Sequence, residues 1–268
     1  MNIVNITAYR FVNLPEAELP SLQQRLIARG NELGVKGTIY LSTEGINFSA
    51  AGERAPIEEY KKLLGSMSYF ENLHYKESLS ATIPFSKMKV KVKREIIRMD
   101  QDSVRPEKHV VPHIAPQEFK RWYEEKRDMI VLDTRNNYEY DAGTFEDAIN
   151  PNIENFRDFP AAVDKLPEEY KEKPIVMFCT GGVRCEKAGE YMHQKGFKEV
   201  YQLDGGIINY FIETGGAHWQ GDCFVFDDRV TINTKLEATR STSCEHCRDL
   251  PAKAAVACVY CKGTVGAN

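Results

Sequence analysis

A short apolar run at 175–178 ends on Cys179 and continues as Cys-Thr-Gly-Gly-Val-Arg, after which a helical pattern begins. A strand that stops on a cysteine and feeds a glycine-bearing loop into a helix leaves few folds open, because that order belongs to sheets with crossover helices. Gly181 and Gly182 let the backbone turn tightly, so that successive N–H groups point into one concavity with Thr180 and Val183 on its rim. The following helix adds its free N-terminal N–H groups and the positive end of its dipole. A thiol at the centre of such a cradle has a depressed pKa and is largely thiolate at neutral pH, and Arg184 adds a permanent positive charge. Free cysteine is among the most buried residue types, so packing is the plainer reading of a lone Cys. The Gly-Gly pair and the arginine at the strand-to-helix junction favour a nucleophile instead. Cys185 has two readings: packing in the first helical turn, or a resolving thiol for an oxidised or persulfidated Cys179.

The rest of the chain divides around this loop. Residues 1–98 alternate and repeat as strand (3–11), helix (19–33), two strands (36–42 and 45–50) joined at Thr43-Glu44, helix (55–64) and strand (73–79). That βαββαβ order is a ferredoxin-like sandwich with helices on one sheet face and the other face free for contacts. A further strand-like stretch covers 87–99. Residues 99–112 are polar and aperiodic and read as a linker. A second α/β unit, 113–218, begins with a helix at Pro116, places short apolar strands at 129–132, 175–178 and 200–203, and starts its last helix at Gly205-Gly206-Ile207. Residues 219–268 read as a cysteine-bearing extension.

Net charge is −4, which by itself argues against a nucleic-acid partner, but the charge is uneven. Residues 1–100 carry 14 Lys and Arg against 11 Asp and Glu, and the remainder carry 21 against 28. Within the basic part, Lys87, Lys89, Lys91 and Lys93 are two apart, so a strand puts them on one face, with Met88, Val90 and Val92 turned toward a core. Arg94 and Arg98 extend the row. Lysines on an edge strand also deter aggregation; the alternative is a line of phosphate contacts along a polyanion.

Several segments together resemble the rhodanese family: Val-Leu-Asp133-Thr-Arg135 with Tyr138-Glu139-Tyr140 and Gly143, the Cys179–Arg184 loop, and Leu203-Asp-Gly-Gly-Ile207. The resemblance implies a cysteine that carries sulfur, since the Cys-x4-Arg loop has the spacing of sulfur-handling members rather than the longer phosphatase loop. It gives Asp133 and Arg135 supporting roles. Where most rhodaneses have Gly-His-Ile, this chain has Gly143-Thr144-Phe145. With Ser42-Thr-Glu-Gly-Ile-Asn47, the Pro84-Phe85 lysine stretch and Cys-Glu-Lys-Ala at 185–188, the chain resembles the rhodanese-containing tRNA uridine hydroxylases. That resemblance implies oxygen-dependent 5-hydroxylation of wobble uridine 34, with tRNA as partner and molecular oxygen as co-substrate. Nothing in spacing or composition reveals that reaction. Residues alone reach thiolate or persulfide chemistry beside a polyanion, and a sulfurtransferase or a non-catalytic tRNA- or protein-binding module stay open as alternatives.

Cys244-x2-Cys247 and Cys258-x2-Cys261 form two knuckles ten residues apart. Each supplies two thiolates from one turn, a pattern suited to a structural zinc, with His246 and Cys223 as substitute ligands. A reduced tail without metal is the other reading. No flavin or nicotinamide fingerprint occurs. No apolar run approaches the ~18–20 residues of a membrane span, the first residues lack signal-peptide character, and a cytoplasmic protein is expected.

Overall fold

The computed structural model describes residues 3–108 and 111–240. In chain order the first unit contains β1 (Ile3–Phe11), α1 (Leu19–Glu32), β2 (Lys36–Ser42), β3 (Gly45–Gly52), α2 (Arg54–Gly65), β4 (Lys76–Ser80) and β5 (Met88–Val92). Its sheet runs β4-β1-β3-β2-β5, antiparallel except for β2 beside β5. The first four strands are the ferredoxin-like set, and β5 is a fifth added at the edge. Leu22 and Leu26 of α1 and Ile57, Tyr60 and Leu64 of α2 bury one sheet face, against Ile6, Ile39, Leu41 and Phe48. Each fully buried aliphatic side chain contributes about 1.5–3 kcal/mol. The opposite face carries Asn5, Thr7, Tyr9, Thr38, Asn47 and Ser49, the alternate residues of the same strands.

β5 is shorter than the 87–99 stretch read from the sequence. Met88 and Val90 face the core as expected, but Val92, the last residue of the strand, is exposed. The linker is also less free than its composition suggests: Met99, Val104 and Val111 are buried in the core of the second unit.

That unit contains β6 (His113–Ile114), α3 (Pro116–Glu124), β7 (Ile130–Asp133), α4 (Asn137–Ala142), β8 (Gly143–Phe145), α5 (Phe159–Val163), β9 (Pro174–Phe178), α6 (Val183–Gln194), β10 (Glu199–Leu203) and α7 (Gly206–Thr214). Strands β6-β10-β9-β7 form a parallel sheet, and β9 is apolar throughout because both faces are covered. Ile175 and Met177 face α5 and α6, while Val176 and Phe178 face α3 and α7. Cys179 continues the first of these rows, so the period of two places it on the α6 side.

The chain continues as β11 (Trp219–Gly221), β12 (Cys223–Phe224), β13 (Thr231–Ile232) and β14 (Ala238–Arg240). β11 pairs with β8, and Trp219 joins Phe119, Phe178 and Tyr210 around Phe145, with centroids 4.8–5.2 Å from it. Residues 219–240, read from the sequence as part of the extension, thus pack on the second unit. Cys223 is buried there and its thiol is pushed up to about 12 by burial. Cys244, His246, Cys247, Cys258 and Cys261 lie outside the described residues. No helix among the described residues is long and apolar enough to cross a membrane.

Candidate active site at the Cys179 loop

The loop is built so that its backbone faces its sulfur. Gly182 N–H donates to Cys179 Sγ at 3.1 Å. Gly182 sits at φ 99°, and a Cβ there would lie 2.9 Å from the Tyr9 hydroxyl, so both backbone and neighbour require glycine. The N-terminus of α7 closes the other side: Ile207 N–H and Ile208 N–H donate to the carbonyls of Cys179 and Thr180 at 3.0 and 3.1 Å. A Cβ on Gly206 would stand 2.5 Å from the Cys179 carbonyl oxygen. The second glycine of Leu-Asp-Gly-Gly-Ile is therefore the residue that lets α7 touch the loop.

Cys179 is 1 % exposed. Burial alone raises a thiol pKa. Here a hydrogen bond from Cys185, the Arg184 charge and the N–H groups of Arg184 and Gly182 outweigh it, and Cys179 falls from 9.0 to about 5. Cys185 moves the opposite way, pushed up by burial and by its charged neighbour. The pair is thus one thiolate, Cys179, and one thiol, Cys185, whose Sγ also lies 3.6 Å from Thr134 Oγ1.

Arg184 has a further task besides its charge. Its guanidinium is held by both oxygens of buried Glu139, at 2.6 and 2.8 Å, and approaches Thr180 Oγ1 at 3.5 Å. Asp133 and Arg135 form a second buried pair, with two further bonds: Arg135 donates to the Gly143 carbonyl and Thr144 Oγ1 donates to Asp133. Thr144, at the position where the rhodanese pattern has histidine, is thereby part of this support. Glu139, at the base of the site, carries no signal in the sequence beyond its place in Tyr-Glu-Tyr.

The site is completed by the first unit. Tyr9 on β1 donates to Glu186 at 2.8 Å, and burial, then Glu186, raises its pKa so that it stays a neutral hydroxyl. Lys76 on β4 is buried and donates to the Gly181 carbonyl at 3.0 Å. Lys187 reaches back to Glu44 at 2.8 Å and Glu95 at 2.6 Å. The Glu-Lys of Cys-Glu-Lys-Ala and the Glu of Ser-Thr-Glu-Gly-Ile-Asn are therefore the joint between the two units. Arg229, after β12, donates to Ser78 at 2.8 Å and ties the extension to the same sheet.

Between the open sheet face and the Cys179 loop lies a cleft of about 1060 Å³. Lys87, Lys89, Lys93, Arg94 and Arg98 line it together with Cys179. Lys91 is exposed on the same strand but outside the lining. Arg94 and Arg98 are engaged by Asp102 and Asp100; among the described residues no carboxylate pairs with the four lysines. Phe226 stands at the cleft, 58 % exposed, with its ring edge-on to Phe224 and the Arg184 guanidinium 5.8 Å from its centre. The arrangement offers a thiolate, a polar floor, an open aromatic face and a basic wall.

Comparison with known proteins agrees with both units. The family model of the UPF0176 acylphosphatase like domain matches residues 3–96, and that of the rhodanese-like domain matches 115–212. A tRNA uridine(34) hydroxylase of Cupriavidus necator is 46% identical over 253 residues, covering 92% of this chain and 89% of the relative. One of Bordetella petrii is 46% identical over 239 residues, covering 87% and 94%. Among solved structures, a rhodanese-like domain from Anabaena aligns with a TM-score of 0.35 at 22% identity, over 41% of this chain and 79% of that one.

Proposed function

This chain belongs to the tRNA uridine(34) hydroxylase family, and from that premise we propose that Cys179 is the group that acts on uridine 34. The observation that carries this reading is the cleft, which joins a buried thiolate to a row of lysines that no carboxylate pairs with among the described residues. Its volume is at the upper end of the ~300–1,000 Å³ of ordinary small-molecule sites, room for a nucleotide together with parts of its neighbours. A wobble base is single-stranded and is splayed into a pocket at little cost. In this reading the base lies over the polar floor toward Cys179, and molecular oxygen supplies the atom placed on carbon 5. Asp133 and Arg135 hold the loop from behind, while Thr180, Val183 and Arg184 line the cleft beside Cys179, where the Arg184 charge stabilises the anion that develops. A tRNA substrate supports a cytoplasmic location for the enzyme.

The test is nucleoside mass spectrometry on unmodified tRNA incubated with purified enzyme in air and without oxygen. Uridine 34 should gain one oxygen atom, in air only. A sulfur-bearing nucleoside in its place would make the protein a sulfurtransferase and end the hydroxylation reading.

The same reading gives the lysines a measurable role. Replacing Lys87 and Lys89 with glutamine should weaken tRNA binding and reduce the slope of log affinity against log salt by roughly 0.7–0.9 for each phosphate no longer neutralised. Fluorescence anisotropy across a salt series measures it. An unchanged slope would leave these lysines as a solvated edge.

A further inference from the structure

Among the described residues five cationic side chains are buried: Lys76, Arg135, Arg184, Lys187 and Arg229. Four rest on carboxylates, Arg135 on Asp133, Arg184 on Glu139, Lys187 on Glu44 and Glu95, and Arg229 on Asp227. Lys76 alone has none among the described residues. Its Nζ donates to the Gly181 carbonyl at 3.0 Å and stands 4.8 Å from the centre of the Tyr9 ring. Two neutral partners do not balance a buried ammonium, and an uncompensated buried charge costs several kcal/mol.

Burial works against the Lys76 charge and lowers its pKa, and the anionic groups that act in its favour are Cys179 of the loop, Asp204 after β10 and Glu186 of α6. Glu186 already accepts from Tyr9 and Gln202, and Asp204 lies 3.1 Å from His113. The Arg184 charge that lowers the Cys179 pKa is shared with Glu139, which holds the guanidinium at 2.6 Å.

We infer that Lys76 is a catalytic residue: the N-terminal unit supplies the cation that balances the Cys179 thiolate at rest and then the anion formed on uracil. This rests on the reading that Cys179 acts on uridine 34. In the step concerned, Sγ bonds to carbon 6, the carbon 5–carbon 6 π bond breaks, and its electron pair passes into the carbon 5–carbon 4–O4 enolate. No proton is lost and nothing is oxidised. A lysine has three N–H donors; one is used on Gly181, leaving donors for O4. The negative charge moves from sulfur to oxygen beside a cation already in place.

Three variants of the full-length enzyme separate charge from shape. Lys76→Met removes the charge, Lys76→Gln keeps a donor for the Gly181 carbonyl, and Lys76→Arg keeps the charge. The thiolate of Cys179 is titrated by its ultraviolet absorbance without tRNA, with Cys179→Ser as the blank. The midpoint should rise by about one pH unit in Lys76→Met and Lys76→Gln and stay within a few tenths in Lys76→Arg. Turnover should fall about a hundredfold in kcat for the two neutral variants, with KM for tRNA within about threefold. A wild-type midpoint or a kcat within about twofold of wild type in Lys76→Gln overturns the proposal, and Lys76→Gln decides even if Lys76→Met fails to fold. Should the wild-type enzyme leave tRNA unchanged, the hydroxylation reading fails, and the midpoints alone decide for or against Lys76 as the counter-charge of the thiolate.

Discussion

Replacing Cys179 with serine should lower hydroxylation of uridine 34 by about a thousandfold or more while leaving tRNA binding within about twofold. The two effects separate because the sulfur is buried in the Cys179 loop while Lys87 and Lys93 line the same cleft as exposed residues at either end of β5. Serine fits the space, but its hydroxyl is not ionised at neutral pH and forms neither a persulfide nor a sulfenic acid. The loop's N–H groups and Arg184, which hold the thiolate near pH 5, would then surround a neutral group. The sign of the pH dependence follows from the same shift. Because the pKa is depressed, wild-type activity should be flat across neutral pH where this group alone limits it, and should fall as pH drops through about 5. Nucleoside analysis and anisotropy, run on one preparation, read both arms. A serine enzyme that hydroxylates normally would move the active site away from Cys179 altogether. Intact-mass measurement after thiosulfate treatment would further separate a persulfide, which adds one sulfur to wild type and none to the serine form, from a plain thiolate.

What the sequence disclosed and what it hid divide along a physical line. The Cys179 loop was legible because its chemistry is local: strand, two glycines and helix are adjacent in the chain, and their geometry follows from their order. The lysine alternation was legible for the same reason up to Val90. It failed at Val92, where the question became whether a neighbour covers the strand's end, and pairwise periodicity carries no such information. Tyr9 and Lys76 were invisible as site residues, since each lies in an ordinary strand pattern and acquires its role only when the sheet's open face meets the loop. Their clue is compositional: Lys76 is a charge that becomes buried, and burial is a tertiary property. Glu44, Glu186 and Lys187 are intermediate. They stood inside the segments that carried the family resemblance, but the structure is what makes them a joint, with Lys187 clasped by Glu44 and Glu95. The motif around Cys179 thus encodes two things at once, a cradle for sulfur through its backbone and a dock for the N-terminal unit through its first helical turn.

That double use makes the pair beneath the loop the place where stability and function meet. Glu139→Ala should destabilise the protein by about 3–5 kcal/mol, because it leaves the Arg184 guanidinium buried without its carboxylate. The side chains of the two partners are 0% and 5% exposed, so water cannot stand in for the missing carboxylate. Burial pushes the Glu139 carboxyl up, and Arg184 with its hydrogen bonds more than reverses this, leaving it below its ordinary 4.5. A depressed carboxylate contributes stability that is complete above the unfolded pKa and is lost as pH falls through the folded value. The penalty of Glu139→Ala should therefore be full at neutral pH and shrink under acid conditions. In a thermal melt the expected change is roughly 10 °C. An exposed pair such as Lys198–Glu172, treated the same way, should hardly move the curve. The double variant Glu139→Leu with Arg184→Met removes both charges and should recover much of the stability, yet it should not recover activity, since the loop then lacks the bonds that fix Thr180 and the cation beside Cys179. A Glu139→Ala protein melting within about 2 °C of wild type would mean that Arg184 finds solvent or another partner, and the loop would then be far softer than its buried pair implies.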